Sequence, residues 1–418
     1  MNTRTPRHPP DGDLILVLNC GSSSIKFALF DAAGRSPLPR QPAWSGKVQD
    51  IGGPAATYGE SGRAPVPVTL DAQRPYHAAL ARIREGVVAR LAGRPLAAVA
   101  HRVVHGGSKY FAPVRVDAPV LADLKTFIPL APLHQPFALD AIAELLASDP
   151  ALPQIACFDT GFHHTLPKVE QMLPLPYAAW ERGLRRYGFH GLSYEYMAVV
   201  LPERHGARAR GRVIVAHLGS GASLCAMSDL RSVATTMGFS ALDGLMMGTR
   251  TGALDPGAVL YLMEIEKLTL EEVGRVLYHE SGLLGVSGVS PEPRVLLAAE
   301  QRDDDVGERA RTALALYVRR IAREIGALTV VLGGLDLLVF TAGVGENSVE
   351  IRERVCRDLG CLGVELDGAA NARQAPVIST ADSRVTVAVE PTNEEWIAAR
   401  HSVALTGPGQ HFTAGATH

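Results

Sequence analysis

Two pairs of short apolar runs, half a chain apart, each predict a β-hairpin with a turn of small residues. The first pair occupies residues 14–30 around a turn at residues 21–24, and the second occupies residues 213–227 around a turn at residues 219–221. Strand-length apolar runs joined by glycine and serine are typical of hairpins. The repeated pattern predicts two domains of one plan, each opening with a strand, a Gly/Ser turn and a second strand.

Apolar strand-like runs alternate with helical patterns along the rest of the chain. Residues 96–104, 154–158 and 337–340 have the pattern of buried strands, whereas residues 309–331 carry the apolar stripe of a long amphipathic helix. Alternating strands and helices indicate the α/β class. The segment 31–74 is rich in Pro, Gly and Ala, and we expect it to hold loops or a small edge element.

The composition narrows the class of protein. At 418 residues the chain exceeds what one hydrophobic core usually supports, so we expect two domains. A net charge of −2 argues against nucleic acid or an anionic membrane as a partner. The five cysteines include no metal-type C-x-x-C pair, and the sequence has neither an N-terminal signal nor a membrane-spanning apolar run. These features favour a reducing compartment, here the cytoplasm.

Both predicted turns have the chemistry of a phosphate site. In the first, backbone N–H groups, the hydroxyls of Ser22 and Ser24 and the charge of Lys26 suit an anion. The second places Gly219-Ser220-Gly221 after His217. Neither turn is a P-loop, and each taken alone is equally typical of an ordinary hairpin. Two such turns facing each other would hold a polyphosphate from both sides.

A third glycine-rich segment follows the predicted strand at residues 337–340. Gly343 and Gly345, with Asn347 just beyond, would allow a ligand such as a nucleoside to approach the backbone closely. Glycine needed only for packing at a strand–helix turn is an equally good interpretation. The spacing is not G-x-G-x-x-G, so a dinucleotide-binding fold is disfavoured.

Isolated polar residues in apolar surroundings mark a candidate active site. Arg102 and Asp159 lie at the ends of strand-like runs. His190 lies between an aromatic residue and a glycine, and Arg250 lies in a glycine-flanked loop. Buried charges need a partner or a ligand. A structural Arg–Asp pair explains any one of them, but the group as a whole indicates a site. Glu394, in a segment that also suits a helix N-terminus, is a candidate for holding Mg²⁺, often through water.

Taken together, these segments resemble the acetokinase family of the actin-like ATPase superfamily, from about residue 14 to residue 400. The resemblance rests on ten blocks in family order: NCGSSSIKF, HRVVHGG, LAPLHQP, FDTGFHHTLP, RRYGFHG, HLGSG, GLMMGTRTGALDP, SGLLGVSG, FTAGVGENS and PTNEEW. It implies two duplicated actin-like ATPase (ribonuclease H-like) domains with an interdomain cleft. The expected bounds are 12–160 with 391–418 for an acyl/phosphate domain, and 161–390 for a nucleotide-binding domain.

The resemblance also assigns roles to residues. The implied catalytic residues are Arg102, Asp159, His190, Arg250 and His134. The implied nucleotide and phosphate residues are Ser22, Ser24, Lys26, His217, Gly219, Ser220, Gly221, Glu292, Arg294, Gly343, Gly345 and Asn347. The implied acyl pocket is Val104, Leu133, Phe189 and Ala241, and the implied metal residues are Asn19 and Glu394.

Several positions depart from the family pattern. Ser220 stands where Asn is usual, Glu292 replaces an Asp of the nucleoside segment, and Tyr194 replaces a His. Ala241 replaces a Pro of the acyl pocket, which would widen it. A propionate or butyrate kinase is therefore an alternative, and a non-metabolic actin-like ATPase a more distant one. A sugar kinase is disfavoured because the Leu133 and Phe189 pocket does not suit a polyol.

The implied reaction is reversible transfer of the terminal phosphoryl of ATP to acetate, giving acetyl phosphate and ADP. The acceptor carboxylate is already ionised at neutral pH, so no general base is needed. Arg102 and Arg250 would offset its charge and that of the transferring group, and His190 would donate a hydrogen bond. Asp159 and Glu394 would hold Mg²⁺, or Mn²⁺ in its place, near Asn19. The resemblance further implies direct in-line transfer without a phospho-enzyme, and a homodimer.

Overall fold

The computed structural model describes residues 14–21, 23–33, 37–132 and 134–406. Two residues of the predicted site, Ser22 and Leu133, lie outside the described residues. The chain divides into two compact units: unit 1 contains the residues up to Gly161 and those from Asn393 onward, and unit 2 is Phe162–Thr392.

Unit 1 is built on an eight-stranded sheet in the order β5-β4-β3-β2-β1-β6-β8-β7. Its strands are β1 (Leu14–Cys20), β2 (Ser24–Asp31), β3 (Trp44–Gln49), β4 (Thr57–Glu60), β5 (Val66–Pro67), β6 (Leu96–Val103), β7 (Val114–Arg115) and β8 (Gln154–Phe158). The α-helices described ahead of β8 are α1 (Pro75–Leu91), α2 (Ala118–Thr126) and α3 (Gln135–Ser148). Strands β3 to β5 occupy the segment expected to hold loops or a small edge element, and they extend the sheet to its edge.

The centre of this sheet explains the apolar runs of the sequence. Strand β1 pairs antiparallel with β2 and parallel with β6, and β6 pairs parallel with β8. Strands covered on both faces have near-continuous apolar sequences, as β1 and β8 do. Leu16, Phe27, Ile83, Val99 and Ile142 belong to one core between the sheet and its helices.

Unit 2 contains a five-stranded sheet in the order β11-β10-β9-β12-β13. Its strands are β9 (Arg212–Leu218), β10 (Ala222–Ser228), β11 (Arg231–Thr235), β12 (Leu337–Thr341) and β13 (Thr386–Val389). Its helices are α4 (Lys168–Gln171), α5 (Tyr177–Glu181), α6 (Gly191–His205), α7 (Pro256–Glu264), α8 (Leu270–His279), α9 (Gly282–Ser287), α10 (Pro293–Ala299), α11 (Asp305–Leu332), α12 (Ala342–Asn347), α13 (Val349–Asp358) and α14 (Gly368–Ala372). Helix α11 confirms the predicted long amphipathic helix.

The two sheets share one plan. In unit 1 the order β3-β2-β1-β6-β8 has two antiparallel pairings followed by two parallel ones. In unit 2 the order β11-β10-β9-β12-β13 has the same sequence of directions. The predicted α/β class and the predicted duplication, each half opening with a hairpin, are both confirmed.

The last described helix, α15 (Glu394–Thr406), belongs to unit 1 although it follows all of unit 2 in the chain. It packs on β1 and β6. The indole of Trp396 is buried and its Nε1 donates to the carbonyl of Leu38 at 3.0 Å, which fixes the start of the helix. Among the described residues, no helix has the length and apolar character needed to cross a membrane.

Candidate functional site

Four residues of the predicted site meet at one edge of the unit 1 sheet. Asn19 lies near the end of β1, Arg102 near the end of β6, and Asp159 directly after β8. Because these strands are parallel to one another, their carboxyl ends share an edge, which is where α/β proteins usually bind ligands. Glu394, the first residue of α15, joins them there.

Arg102 is the centre of this cluster. Its Nη2 and Nε donate to the two carboxylate oxygens of Asp159 at 2.5 and 2.9 Å, and its Nη1 donates to Asn19 Oδ1 at 3.1 Å. A carboxylate oxygen of Glu394 lies 3.7 Å from Nε. Burial alone would lower the pKa of Arg102, but the Asp159 and Glu394 carboxylates outweigh it and raise that pKa. These bonds use three of the five N–H donors of the guanidinium.

Glu394 is held in an unusual electrostatic state. Its side chain is 16% exposed, and burial raises its pKa to about 7, against the effect of Arg102 and with a further increase from Asp159. Two carboxylates therefore share one guanidinium. A hard cation bound there would favour the ionised form of Glu394, and the oxygens of Asp159, Glu394 and Asn19 are the donor type that Mg²⁺ prefers. Within the described chain, no group of three or more His, Cys, Asp or Glu is arranged for a metal.

The first Gly/Ser turn lies beside this cluster. Lys26 on β2 is opposite Asn19 in the strand register, is exposed, and its charge opposes the rise in the pKa of Glu394. The turn is closed by a bond from Gly21 N to the carbonyl of Ser24 at 2.8 Å. Tyr76 on α1 donates its hydroxyl to the carbonyl of Gly21 at 2.9 Å. The turn is thus tied to the helix behind it.

His134, another predicted catalytic residue, immediately precedes α3 in unit 1. Its backbone N–H donates to the carbonyl of Ala131 at 3.1 Å. The next residue, Gln135, is buried and exchanges two hydrogen bonds with the backbone of His105, at 3.0 and 2.9 Å. This pair fixes the segment that follows β6, beside the predicted pocket residue Val104.

In unit 2, His190 occupies a strained backbone position in front of α6. Its φ of 59° lies in the left-handed region, which non-glycine residues rarely adopt. The preceding carbonyl, of Phe189, accepts a bond from His163 Nε2 at 2.9 Å. Gly188 is required there, since a Cβ on it would lie 2.6 Å from the His163 ring. A buried histidine therefore supports the loop that presents His190.

A hydrogen-bonding side chain and a stacked ring both hold the imidazole of His190. Its Nδ1 lies 2.8 Å from Ser223 Oγ on β10, and that oxygen lies 2.5 Å from the hydroxyl of Tyr194. Its ring stacks on the ring of His217, with centroids 4.1 Å apart and planes inclined by 17°. His217 Nδ1 in turn lies 2.8 Å from Ser193 Oγ. The predicted residues His190 and His217 are therefore neighbours.

The other ring nitrogen of His190 faces the second Gly/Ser turn. A Cβ built on Gly221 would lie 3.4 Å from His190 Nε2 and 3.6 Å from Arg250 Nη1. Arg250 Nη1 also donates to the carbonyl of Ala241 at 3.0 Å. The structure thus brings an imidazole nitrogen, a guanidinium and a glycine turn together, an arrangement that suits a phosphoryl group.

A cavity of about 470 Å³ begins at this turn and extends into unit 2. It brings together six residues of the predicted nucleotide set: Gly219, Ser220, Glu292, Arg294, Gly343 and Asn347. Glu292 and Arg294 lie at its exposed rim, 3.7 Å apart. Sequence reasoning missed its apolar lining, which includes Leu283, Pro291, Leu297 and Tyr317. A mixed apolar and polar cavity of this size suits a nucleoside.

Gly345 does not line the cavity but is held from behind by Arg352, which sequence reasoning also missed. Arg352 is fully buried and donates to the carbonyls of Gly345 and Glu346 at 2.9 and 2.7 Å, and to Asn371 Oδ1 at 2.8 Å. Burial beside neutral acceptors lowers its pKa. The position of Arg352, seven residues after Gly345 on the next helix, is the only hint that the sequence offers.

The residues predicted to form the acyl pocket are divided between the two units. Val104 belongs to unit 1, whereas Phe189, which is buried, and Ala241, which is partly buried, belong to unit 2. Leu133 lies outside the described residues. The carbonyl of Ala241 accepts the bond from Arg250, so the backbone at this departure from the family pattern is tied to the site. The acyl pocket itself stays a prediction.

Comparison with known proteins finds one matching family, together with similar sequences and similar solved structures. The chain matches the model of the acetokinase family over residues 14–400. It is 49% identical over 403 residues to the acetate kinase of Rhodopseudomonas palustris, covering 95% of this chain and 100% of that protein. A crystal structure of Porphyromonas gingivalis acetate kinase is similar with a TM-score of 0.81 and 35% identity, covering 94% of this chain and 99% of that one. A propionate kinase from Francisella tularensis gives a TM-score of 0.85 and 33% identity, covering 93% and 98%.

Proposed function

Because this chain belongs to the acetokinase family, we propose that it transfers the terminal phosphoryl of ATP to acetate, reversibly, giving acetyl phosphate and ADP. The two sheets of matching plan are the duplicated actin-like ATPase fold of this family. The acceptor is a carboxylate, so the reaction is that of a carboxyl-directed phosphotransferase.

One observation in unit 2 supports the phosphoryl-transfer assignment most directly. The cavity of about 470 Å³ starts at Gly219 and Ser220, and the next residue of that turn has His190 Nε2 and Arg250 Nη1 beside it. A nucleoside in the cavity would therefore direct its phosphates toward an imidazole and a guanidinium. We propose that Arg250 binds the transferring group and stays charged throughout, since guanidinium does not titrate in the working range.

The chemistry of the acceptor explains why the site relies on cations. A carboxylate is ionised at neutral pH and attacks without losing a proton, so no general base is needed. Its negative charge must instead be offset beside a polyphosphate. We assign this role to Arg102 and Arg250, with His190 donating a hydrogen bond to the transferring oxygens. Asp159 would hold Arg102 in place through its two-point contact.

The unit 1 cluster fits Mg²⁺, or Mn²⁺ in its place. Asp159, Glu394 and Asn19 would hold the ion, partly through water, because they supply carboxylate and amide oxygen donors. When bound, the ion neutralises charge on the phosphate oxygens. Removing the ion with EDTA should abolish activity, and added Mg²⁺ should restore it. Activity that persists in EDTA would remove this part of the proposal.

We also propose that the protein is a homodimer in the cytoplasm. None of the nine residues of α7 is buried, and large apolar side chains cluster on and beside it: Leu254, Leu260, Tyr261, Ile265 and Leu270. We propose that a second copy of the chain covers this surface, since exposed apolar patches of this kind mark interaction sites. A cytoplasmic location is supported by the five free cysteines, four of them buried.

Light scattering coupled to size exclusion tests the homodimer. The wild type should have twice the mass of one chain, and a variant with Leu260→Glu and Ile265→Glu should have the mass of one. Val330→Glu is the matched control, because Val330 is an exposed apolar residue elsewhere in unit 2. A wild type of single-chain mass overturns the dimer.

A coupled ADP-release assay tests the reaction. Mg·ATP is supplied with acetate, propionate, butyrate or no acid, and we expect turnover that requires a carboxylate and is highest with acetate. A maximum at propionate would move the acceptor preference to propionate, in keeping with the small side chain of Ala241 and the similarity to a propionate kinase. Equal turnover with and without acid would overturn the acyl kinase assignment. A stoichiometric phospho-enzyme that turns over competently would overturn direct transfer.

A further inference from the structure

Three side chains of unit 2 form a continuous hydrogen-bonded row that ends on His190. The hydroxyl of Tyr194 lies 2.5 Å from Ser223 Oγ, and Ser223 Oγ lies 2.8 Å from His190 Nδ1. Tyr194 and Ser223 are both fully buried. Water therefore does not compete for these bonds, and the number of hydrogen atoms in the row decides which atom donates at each step.

Counting hydrogens leaves two opposite directions for the row, and the acidity of the two hydroxyls selects one of them. Ser223 has one hydroxyl hydrogen and stands between two partners, so it accepts from one and donates to the other. A phenol is a stronger acid than an aliphatic alcohol, which makes Tyr194 the natural donor to Ser223. The hydrogen of Ser223 is then directed at His190 Nδ1, which must accept it and therefore carries no proton in the neutral ring.

The geometry points to Tyr194 as a positioning residue that, acting through Ser223, fixes His190 in the tautomer with its proton on Nε2. This inference rests on the proposed role of His190 as a hydrogen-bond donor to the transferring phosphoryl group. Nε2 is the nitrogen that faces the second turn, 3.4 Å from where a Cβ of Gly221 would stand. Only a ring protonated there can donate toward that turn while remaining neutral.

The stack on His217 and the backbone conformation of His190 also restrict the ring. The stack on His217, at 4.1 Å between centroids, restricts the movement of the His190 ring out of its plane. His217 is itself held by Ser193, at 2.8 Å from its Nδ1, and Ser193 is bonded to Thr392 at 2.8 Å. The left-handed backbone of His190 sets the direction from which the ring enters.

Tautomer-sensitive ¹H–¹⁵N correlation spectra of the uniformly labelled protein test this directly. The His190 signal is identified by its loss in His190→Gln. In the wild type we expect protonated Nε2 and unprotonated Nδ1. In Tyr194→Phe, Ser223 can accept from His190, so we expect a substantial population of the Nδ1-protonated form. Protonated Nδ1 in the wild type, or a tautomer unchanged in Tyr194→Phe, overturns the inference.

Kinetics give a second readout that a purely structural role would not produce. We expect Tyr194→Phe to lower kcat by roughly 10-fold to 100-fold, as for loss of a well-placed donor, while KM for ATP changes less than about threefold. Ser223→Ala should behave alike, and Ser223→Thr, which keeps the hydroxyl, should recover most of kcat. Tyr196→Phe, on the same helix, is the matched control for a lost buried hydroxyl. A fall in thermal stability with kcat preserved would overturn the role.

The variants distinguish the proposed role of His190 from the positioning role of Tyr194. If His190→Gln retains full kcat, the proposed role of His190 fails whatever its tautomer. If His190→Gln loses activity but Tyr194→Phe and Ser223→Ala keep it, His190 acts without the row and the positioning role of Tyr194 is wrong.

Discussion

The two hairpin turns occupy equivalent places in two sheets of one plan, yet they face different chemistry. Two residues before each turn glycine stand Asn19 in unit 1 and His217 in unit 2. Asn19 accepts from Arg102 in a cluster of full charges, whereas His217 stacks on His190 beside two hydroxyls. The duplication thus kept a backbone and changed the side chains at its strand ends. Under the proposed function, the charged residues of unit 1 would serve the metal and the acceptor, and the residues of unit 2 would position the nucleotide.

The largest expected effect is on catalysis. It tests whether the reaction needs an arginine from each unit. Arg102→Met in unit 1 and Arg250→Met in unit 2 should each lower kcat/KM by about 10³-fold or more. Each change removes a guanidinium that would offset the negative charge of the transferring phosphoryl group. Steady-state kinetics with acetate and ATP measure this. Arg319→Met makes the same change at an exposed site on α11 and serves as the control, with activity expected to stay at the wild-type level. Full activity in either site variant would show that the substituted arginine does not have its proposed role.

The next largest effect is the loss of stability at low pH, to which one buried histidine in each unit should contribute. Burial lowers the pKa of His101 in unit 1 and of His163 in unit 2 to about 4. Between pH 6.5 and 4 the unfolded chain takes up protons that the native protein resists, so stability falls as the pH falls. Each histidine should account for about 2 to 3 kcal/mol of this loss by pH 4.5.

Urea unfolding at pH 7 and pH 4.5 measures that loss. His101→Leu and His163→Leu should each be less stable at pH 7 but should show a smaller drop on acidification than the wild type. His279→Leu, near the end of the surface helix α8, is the control and should leave the drop unchanged. A drop of wild-type size in both core variants would show that these histidines are protonated in the native state.

A smaller effect is expected on the free energy of unfolding when the contact between Arg102 and Asp159 is broken. Arg102→Met leaves two carboxylates without their guanidinium, so we expect a loss of about 2 kcal/mol of unfolding free energy. Asp159→Asn alone should also destabilise the protein. The double variant should lose less than the sum of the two single losses, because the second change removes a group that the first left unpaired. Strict additivity would mean that the two-point contact contributes nothing.

The smallest effect concerns the cavity of unit 2. The hydroxyl of Tyr317 is buried, lines the cavity and has no hydrogen-bond partner among the described residues, and burial raises its pKa. Tyr317→Phe should therefore stabilise the nucleotide-free protein by about 1 kcal/mol, the penalty for burying an unpaired polar group. Thermal unfolding without and with ADP measures this. A destabilised variant would show that the hydroxyl is satisfied in the folded protein.

Much of the scaffold was predictable because its signals are local. The apolar runs at residues 154–158 and 337–340 became β8 and most of β12, and the stripe at residues 309–331 became α11. The edge strands β3 to β5 gave a weaker signal, since their sequences are short and interrupted by Gly and Pro. Strand ends pointed to Arg102 and Asp159 because polar residues interrupt an apolar run there.

The supporting contacts of the site could not be predicted in the same way. Ser223 meets Tyr194 and His190 across more than twenty-five residues, and a serine on a strand carries no sign of its partner. Arg352 looks like one more charge on a surface helix, yet it is buried against the carbonyls of the glycine loop. Such bonds depend on side-chain packing between distant elements, which hydrophobic pattern and spacing do not record.

The position of α15 has a consequence for biosynthesis. Trp396 and Ile397 complete the core of unit 1, and Glu394 completes its charged cluster, yet all three leave the ribosome only after the whole of unit 2. Domains usually fold in the order in which they are made. Unit 1 therefore cannot complete its core until unit 2 has been translated, because α15 packs on β1 and β6. Under the proposed function, the charged cluster that Glu394 completes would form only after unit 2 has been translated.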